Sequence, residues 1–167
     1  MSPQSPQNFL MYIMLLLVFS CSNDIDLDQE LERPDDIPYA YTVLEQEVSL
    51  LVNSHRERLG LSTLIMLNES SLQSQKQSDH MLAFKHMCHD NFSERYDYLV
   101  ASVDASRVGE NTAFGFETAS SVVNNWLKSY THKNIIEDPL FTHFGISIKK
   151  GADSNNYFCQ IFVRLPE

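Results

Sequence analysis

The chain has 167 residues, of which 43% are hydrophobic and 20% are charged, and its formal net charge is −10 at pH 7. This length and composition fit one globular domain of ordinary size. No stretch interleaves basic and aromatic residues, so a nucleic-acid partner is not expected. Beyond one short run near the N-terminus, no segment is long and apolar enough to span a bilayer, which excludes a multi-span membrane protein.

An apolar run extends from Phe9 to Ser20 and ends at Cys21. A membrane-spanning helix needs about 20 apolar residues, so this run is too short for one. Its length is typical of the core of a secretory signal peptide. Its end, Val18-Phe19-Ser20-Cys21, resembles a bacterial lipobox. We therefore predict that residues 1–20 are a lipoprotein signal peptide and that Cys21 is lipidated, which makes the membrane a partner. An uncleaved anchor helix is the alternative.

Residues 21–38 form an acidic segment with seven carboxylates against one base, Arg33. Pro34 and Pro38 interrupt any helix there, and the composition predicts a disordered tether. The segment carries more than half of the chain's net charge, so the acidity does not describe the domain that follows. An acidic stretch after a lipidated Cys also resembles the surface-export signals of some bacterial lipoproteins, and a simple spacer is the alternative.

Residues 39–167 are predicted to form one domain that begins with helices. Apolar residues recur at helical spacing from Leu44 to Leu59, and Gly60 ends this first helix. A second helix is expected from Asn68, with Ser70 and Gln73 as a capping box and an unusually polar face.

Two shorter helices are predicted in the middle of the domain. Ser93 is expected to cap a third helix. A fourth is expected to open at Thr118 or Ser120. Its apolar stripe comprises Val122, Val123, Trp126, Leu127 and Tyr130. Because a large aromatic residue on such a stripe is usually buried, Trp126 is predicted to lie in the core.

The C-terminal part has the period of β-strands. Residues 107–116 read as a strand or extended loop, and apolar residues alternate from Phe144 to Ile148. A turn cluster at 151–156 leads into a second apolar strand at 157–165, which predicts an antiparallel hairpin. Four main helices followed by strands indicate an α+β fold or an αβα sandwich. Cys88 and Cys159 form either a disulfide or two buried free thiols.

Three separate segments offer groups that can move a proton or bind a metal. One contains His89, another is Gly109-Glu110-Asn111, and the third contains Ser129 and His132. If the fold brings them together, two imidazoles and one carboxylate would share a polar site.

These segments resemble the CAP superfamily (cysteine-rich secretory proteins, antigen 5 and pathogenesis-related proteins), in particular its bacterial branch. The resemblance covers residues 44–165 and rests on pieces in the family's order: Asn53-Ser54-His55-Arg56, His89 to Arg95, Gly109-Glu110-Asn111, Trp126 to Ile136, and Tyr157 to Phe162. It implies an αβα sandwich with a cleft. In eukaryotic members two His and two Glu line that cleft and can hold a divalent metal.

Carried over by this resemblance, His89, Glu110 and His132 match three of those four positions, and the fourth falls on Ser129. The loss of one carboxylate disfavours Ca²⁺ and Mg²⁺, whereas two imidazoles and one carboxylate suit Zn²⁺. Ser129 and Asn111 are expected beside these residues in the cleft.

The resemblance implies an envelope-tethered binding module at the outer surface or in the periplasm. Its partners would be a metal, a small molecule, a lipid or an envelope component. The alternative is a hydrolase in which Glu110 is the general base on a water held by His89 and His132. No nucleophile elbow or zincin helix is present, which favours the binding module.

Each site residue also has a purely structural interpretation. Glu110 can be a buried carboxylate that fixes backbone amides, His132 can cap a helix C-terminus, and His89 can be a surface residue. The remaining histidines match no site position and are interpreted as structural or surface groups: His55, His80, His86 and His143.

Overall fold

The computed structural model describes residues 38–166, and within this part the chain forms five helices and four strands. The helices are α1 (Val43–Arg58), α2 (Asn68–Phe84), α3 (Phe92–Val103), α4 (Ala119–Lys128) and α5 (Tyr130–Ile136). The strands are β1 (Ile65–Met66), β2 (Arg107–Phe114), β3 (His143–Lys150) and β4 (Asn156–Arg164). The predicted signal peptide, the predicted lipidation site Cys21 and nearly all of the predicted tether lie outside the described residues.

The four strands form one sheet in the order β1-β3-β4-β2. The predicted hairpin of β3 and β4 is confirmed, and β2 pairs antiparallel with the other edge of β4. The two-residue strand β1 pairs parallel with β3 and was not predicted, because two residues are too few to show a period. Helices cover both faces of the sheet, so the predicted αβα sandwich is confirmed.

β4 is one of the two inner strands of the sheet, and its side chains contribute to the hydrophobic core on both faces. Phe158 and Phe162 pack with α1, α4 and α5, whereas Tyr157, Cys159 and Ile161 pack with α2 and α3. Alternate residues of a strand point to opposite faces, so a strand that is covered on both sides reads as a continuous apolar run.

The face of α2 that packs on the sheet carries small polar residues because the helix lies very close to the sheet. A Cβ atom at Gly145 would overlap the backbone of Ser70 and Ser71, so only glycine fits there. Ser70 Oγ donates to the carbonyl of Ile161 at 2.9 Å. The predicted capping box of Ser70 and Gln73 is therefore wrong: Ser70 bonds to β4, and no side chain caps the N-terminus of α2.

The helix starts and ends also differ in part from prediction. Thr118 caps α4 as expected, but α3 begins at Phe92 after Asn91 in a left-handed conformation, so Ser93 lies inside the helix. Tyr130 does not continue the stripe of α4, because that helix ends at Lys128 and Tyr130 opens α5 with 80% exposure. Trp126 is fully buried as predicted, and its indole N–H donates to Thr112 O at 3.0 Å.

Cys88 and Cys159 are both free thiols, which settles the alternative left open by the sequence. Burial raises the pKa of the Cys159 thiol, and the adjacent Glu110 carboxylate raises it further. In the described residues, no helix combines the length and apolar character that crossing a bilayer requires.

Candidate functional site

A buried ion pair lies at the centre of the candidate site. Glu110 on β2 and Arg95 on α3 have side chains that are only 2% and 6% exposed. Arg95 donates from Nε to Oε2 and from Nη2 to Oε1 of Glu110, both at 2.9 Å. This bidentate geometry neutralises two charges that would be costly to bury alone.

His89 is the exposed member of the site and is oriented by that ion pair. Its Nδ1 lies 2.7 Å from Oε1 of Glu110, and its side chain is 52% exposed. A carboxylate accepts but does not donate, so Nδ1 carries a proton, and in the neutral ring Nε2 carries the lone pair. Thr112 Oγ1 lies 3.5 Å from Nε2. The buried pair therefore presents a fixed acceptor or metal-ligating nitrogen at the surface.

His132 on α5 lies near enough to His89 to be affected electrostatically. Burial lowers the pKa of His132, and His89 lowers it further. Its Nδ1 is buried and has no hydrogen-bond partner in residues 38–166. The fold therefore leaves a buried ring nitrogen of His132 without a partner in this part of the chain.

The two other residues expected in the cleft make local contacts near α5. Asn111 is fully buried and donates from Nδ2 to the carbonyl of His132 at 3.2 Å. Ser129 precedes α5, and its hydroxyl lies 3.1 Å from that of Thr131. Asn111 thus positions the His132 segment against β2.

A cleft of about 390 Å³ opens beside His89 and Glu110. Much of its wall is apolar, contributed by Phe92, Val108, Ile135 and Phe141. Gly109 makes the space possible: a Cβ there would lie 3.0 Å from Phe141 and 3.2 Å from Ile135. Ser129, Asn111 and His132 are not among its lining residues.

The three predicted metal ligands, His89, Glu110 and His132, have different environments in the structure. Both oxygens of Glu110 already accept hydrogen bonds, and its side chain is almost inaccessible, so it supports His89 and is poorly placed as a ligand or general base. His89 has the arrangement of a metal-binding imidazole, whose other nitrogen is held by a carboxylate, whereas within residues 38–166 no partner holds Nδ1 of His132. Arg95 was not predicted from the sequence, although it stands in the same segment as His89.

A second group of ligating side chains was not predicted from the sequence either. His80, Cys88 and Asp90 each offer one ligand atom, and these atoms lie within 4.8 Å of one another. The sequence suggested only a structural or surface role for His80 and did not indicate that it lies near Cys88 and Asp90. The signal that could have found the group was the run Cys88-His89-Asp90, which lies eight to ten residues beyond His80 in the second helix.

The chain is similar in sequence to a known protein family. Residues 50–162 match the model of the cysteine-rich secretory protein family, CAP. The protein YkwD of Bacillus subtilis is 26% identical over an alignment of 129 residues, and the match covers 75% of this chain and 49% of YkwD. The chain thus spans about half the length of this curated relative.

Solved structures with the same fold include two bacterial proteins. An outer surface protein of Borrelia burgdorferi has a TM-score of 0.65 and 18% identity, covering 78% of this chain and all of that one. An extracellular protein of Bacillus anthracis that contains an SCP domain has a TM-score of 0.62 and 24% identity, covering 72% and 40%. At these identities the likeness shows the fold alone.

Proposed function

This chain belongs to the cysteine-rich secretory protein (CAP) family, and from that premise we propose that it is an extracellular binding module tethered to the bacterial envelope. The proposal places ligand binding in the cleft at His89 and anchoring at Cys21. Similar structures described as outer-surface and extracellular support the location. The apolar run that ends in Ser20-Cys21 supports the lipid anchor.

The observation that carries the binding function is the orientation of His89. An exposed imidazole is held by a buried carboxylate, which is itself held by a buried guanidinium. An ordinary surface histidine needs no such support, because water satisfies the hydrogen-bonding groups of its ring. Fixing the ring removes rotational freedom before a ligand arrives, which reduces the entropic cost of binding. The adjoining apolar wall favours a ligand, such as a small molecule, lipid or envelope component, with a polar group toward His89 and an apolar body.

Within this proposal, His89 and His132 would hold Zn²⁺ if a metal is part of the function. Bound zinc would supply a positive centre for an anionic or carbonyl group of a ligand. The hydrolase alternative has little support, because both oxygens of Glu110 already accept hydrogen bonds from Arg95 and its side chain is almost inaccessible to a water.

Calorimetric titration of Zn²⁺ into the detergent-solubilised full chain at neutral pH tests the proposal. The titration uses a Cys88→Ser background, so that the sulphur ligand of the second group is absent. His89→Ala and His132→Ala should each weaken binding at least about tenfold, equivalent to 1.4 kcal/mol. His86→Ala removes an exposed imidazole from the same loop and is the matched control, so its affinity should not change. Equal affinities in all four proteins would contradict the proposed role of the two histidines.

A further inference from the structure

The segment between α2 and α3 turns consecutive side chains toward different partners. His89 contacts Glu110 on β2, whereas Asp90 contacts His80 on α2, and Cys88 contacts Gln77 on the same helix. Side chains alternate in this way when a segment is locally extended. One short segment therefore serves the His89 cleft on one side and a separate cluster on the other.

We propose that His80, Cys88 and Asp90 form a second metal site, specific for Zn²⁺ and chemically similar transition metals. The His80 Nε2 to Asp90 Oδ2 distance is 3.4 Å. Two ligands at about 2.0–2.1 Å from a tetrahedral zinc lie roughly 3.3–3.4 Å apart, so this pair already has the spacing of zinc ligands. The Cys88 sulphur completes a group whose ligand atoms are all within 4.8 Å of one another.

The segment is held in place by buried donors on two helices. Gln77 Nε2 donates to the carbonyl of Cys88 at 2.7 Å, and Arg95 Nη1 donates to the carbonyl of Asp90 at 2.7 Å. Both donors have less than a tenth of their surface exposed. Cys88 and Asp90 are thus positioned before any metal arrives, which distinguishes the cluster from mobile surface groups.

Gln77 supplies a second, independent sign of a ligand. Its Nε2 also lies 3.6 Å from Cys88 Sγ, so the amide N–H orients the sulphur. Its Oε1 is buried and has no partner within residues 38–166. Gln77 and His80 also line a cleft of about 260 Å³, whereas Cys88 and Asp90 do not. A buried amide oxygen is costly to leave unpaired, and a metal-bound water beside Gln77 would satisfy it.

The donor set determines the class of metal. A thiolate, an imidazole and a carboxylate together carry charge −2, which balances a divalent cation. Sulphur and nitrogen ligands favour Zn²⁺ over Ca²⁺ and Mg²⁺, which require oxygen. Three protein ligands leave one tetrahedral position for water. The site shares no ligand with the proposed His89 cleft, so either can be present without the other.

Cobalt titration followed by absorption spectroscopy tests this site, because Co²⁺ bound to a thiolate gives a near-ultraviolet charge-transfer band that histidine and carboxylate ligands do not. The full chain carries Cys21→Ser, which removes the lipidation thiol. Cys159 does not compete, since it is fully buried. We expect the band to disappear when Zn²⁺ is added and, in the His89→Ala variant, to saturate at one Co²⁺ per chain.

The variants separate the two sites. Cys88→Ser should abolish the band, and His80→Ala should weaken Co²⁺ binding at least about tenfold, equivalent to 1.4 kcal/mol. His89→Ala and His132→Ala should leave the band unchanged. No band in the parent protein, or a band that survives Cys88→Ser, would overturn the proposal. Loss of the band in His89→Ala but not in His80→Ala would overturn it as well.

Discussion

Replacing Glu110 by glutamine should destabilise the fold strongly, although the two side chains have the same shape. Glu110 and Arg95 are almost fully buried and share two hydrogen bonds of 2.9 Å. In the variant an amide N–H would face one of the guanidinium N–H groups, and the buried charge of Arg95 would have no anionic partner. Cys159 would also lose its carboxylate acceptor.

The size of this effect follows from the burial of the pair. Removing one partner of a buried ion pair costs about 3–5 kcal/mol, because the remaining charge is uncompensated. For a domain of this length, such a loss lowers the melting temperature by roughly 10–20 °C. A surface carboxylate would instead contribute about 0–1 kcal/mol.

Urea unfolding followed by Trp126 fluorescence measures the change. Glu117→Gln removes an exposed carboxylate and is the control, with little expected effect. Arg95→Met combined with Glu110→Gln should recover part of the loss, since the buried charge is then removed as well. A Glu110→Gln loss below about 1 kcal/mol would refute the view that this pair is a structural support for His89.

Four further changes test other parts of the structure. Trp126→Ala should cost about 3–5 kcal/mol in urea unfolding followed by circular dichroism, because the variant lacks the chain's single tryptophan, and a loss under about 1 kcal/mol would place the indole outside the core. Gly145→Ala should cost at least about 3 kcal/mol, because its Cβ overlaps the backbone of α2, and wild-type stability would show that the helix can move away. Burial lowers the pKa of His143, so the unfolded chain binds a proton that the fold does not, and stability should fall as pH drops below about 6.5. Unfolding at several pH values should show a shallower acid loss in His143→Gln, and an identical loss would contradict this assignment. Cys21→Ser in the native host should abolish the acyl mass and membrane association, whereas equal membrane recovery would exclude lipid anchoring.

The sequence was sufficient to predict the elements with a strong period. The apolar run of β4 and the stripe around Trp126 both lie in the core, and the hairpin and the sandwich were predicted correctly. These features follow from local alternation and from the motifs of the CAP resemblance. The contact between His89 and Glu110 also agrees with what those motifs imply.

The sequence could not reveal which polar residues are buried and why. The serines of α2 are buried because Gly145 lets the helix approach the sheet, a contact between residues more than 70 positions apart. Arg95 reads as an ordinary helical surface residue until Glu110 is found beside it. His80, Cys88 and Asp90 meet only because Lys85 turns the chain back along α2 in a left-handed conformation. Such contacts depend on tertiary packing and have no local period.

Anomalous diffraction at the zinc edge, from crystals of the full chain grown with Zn²⁺ at neutral pH, tests the central claim most directly. A separate peak among His80, Cys88 and Asp90 would report on the second site and has no bearing on the His89 cleft. At that cleft we predict a peak about 2.0–2.1 Å from Nε2 of His89, shared with His132, while Glu110 remains bonded to Arg95. Zinc bound directly to Glu110, or no zinc at His89, would contradict this account of the cleft.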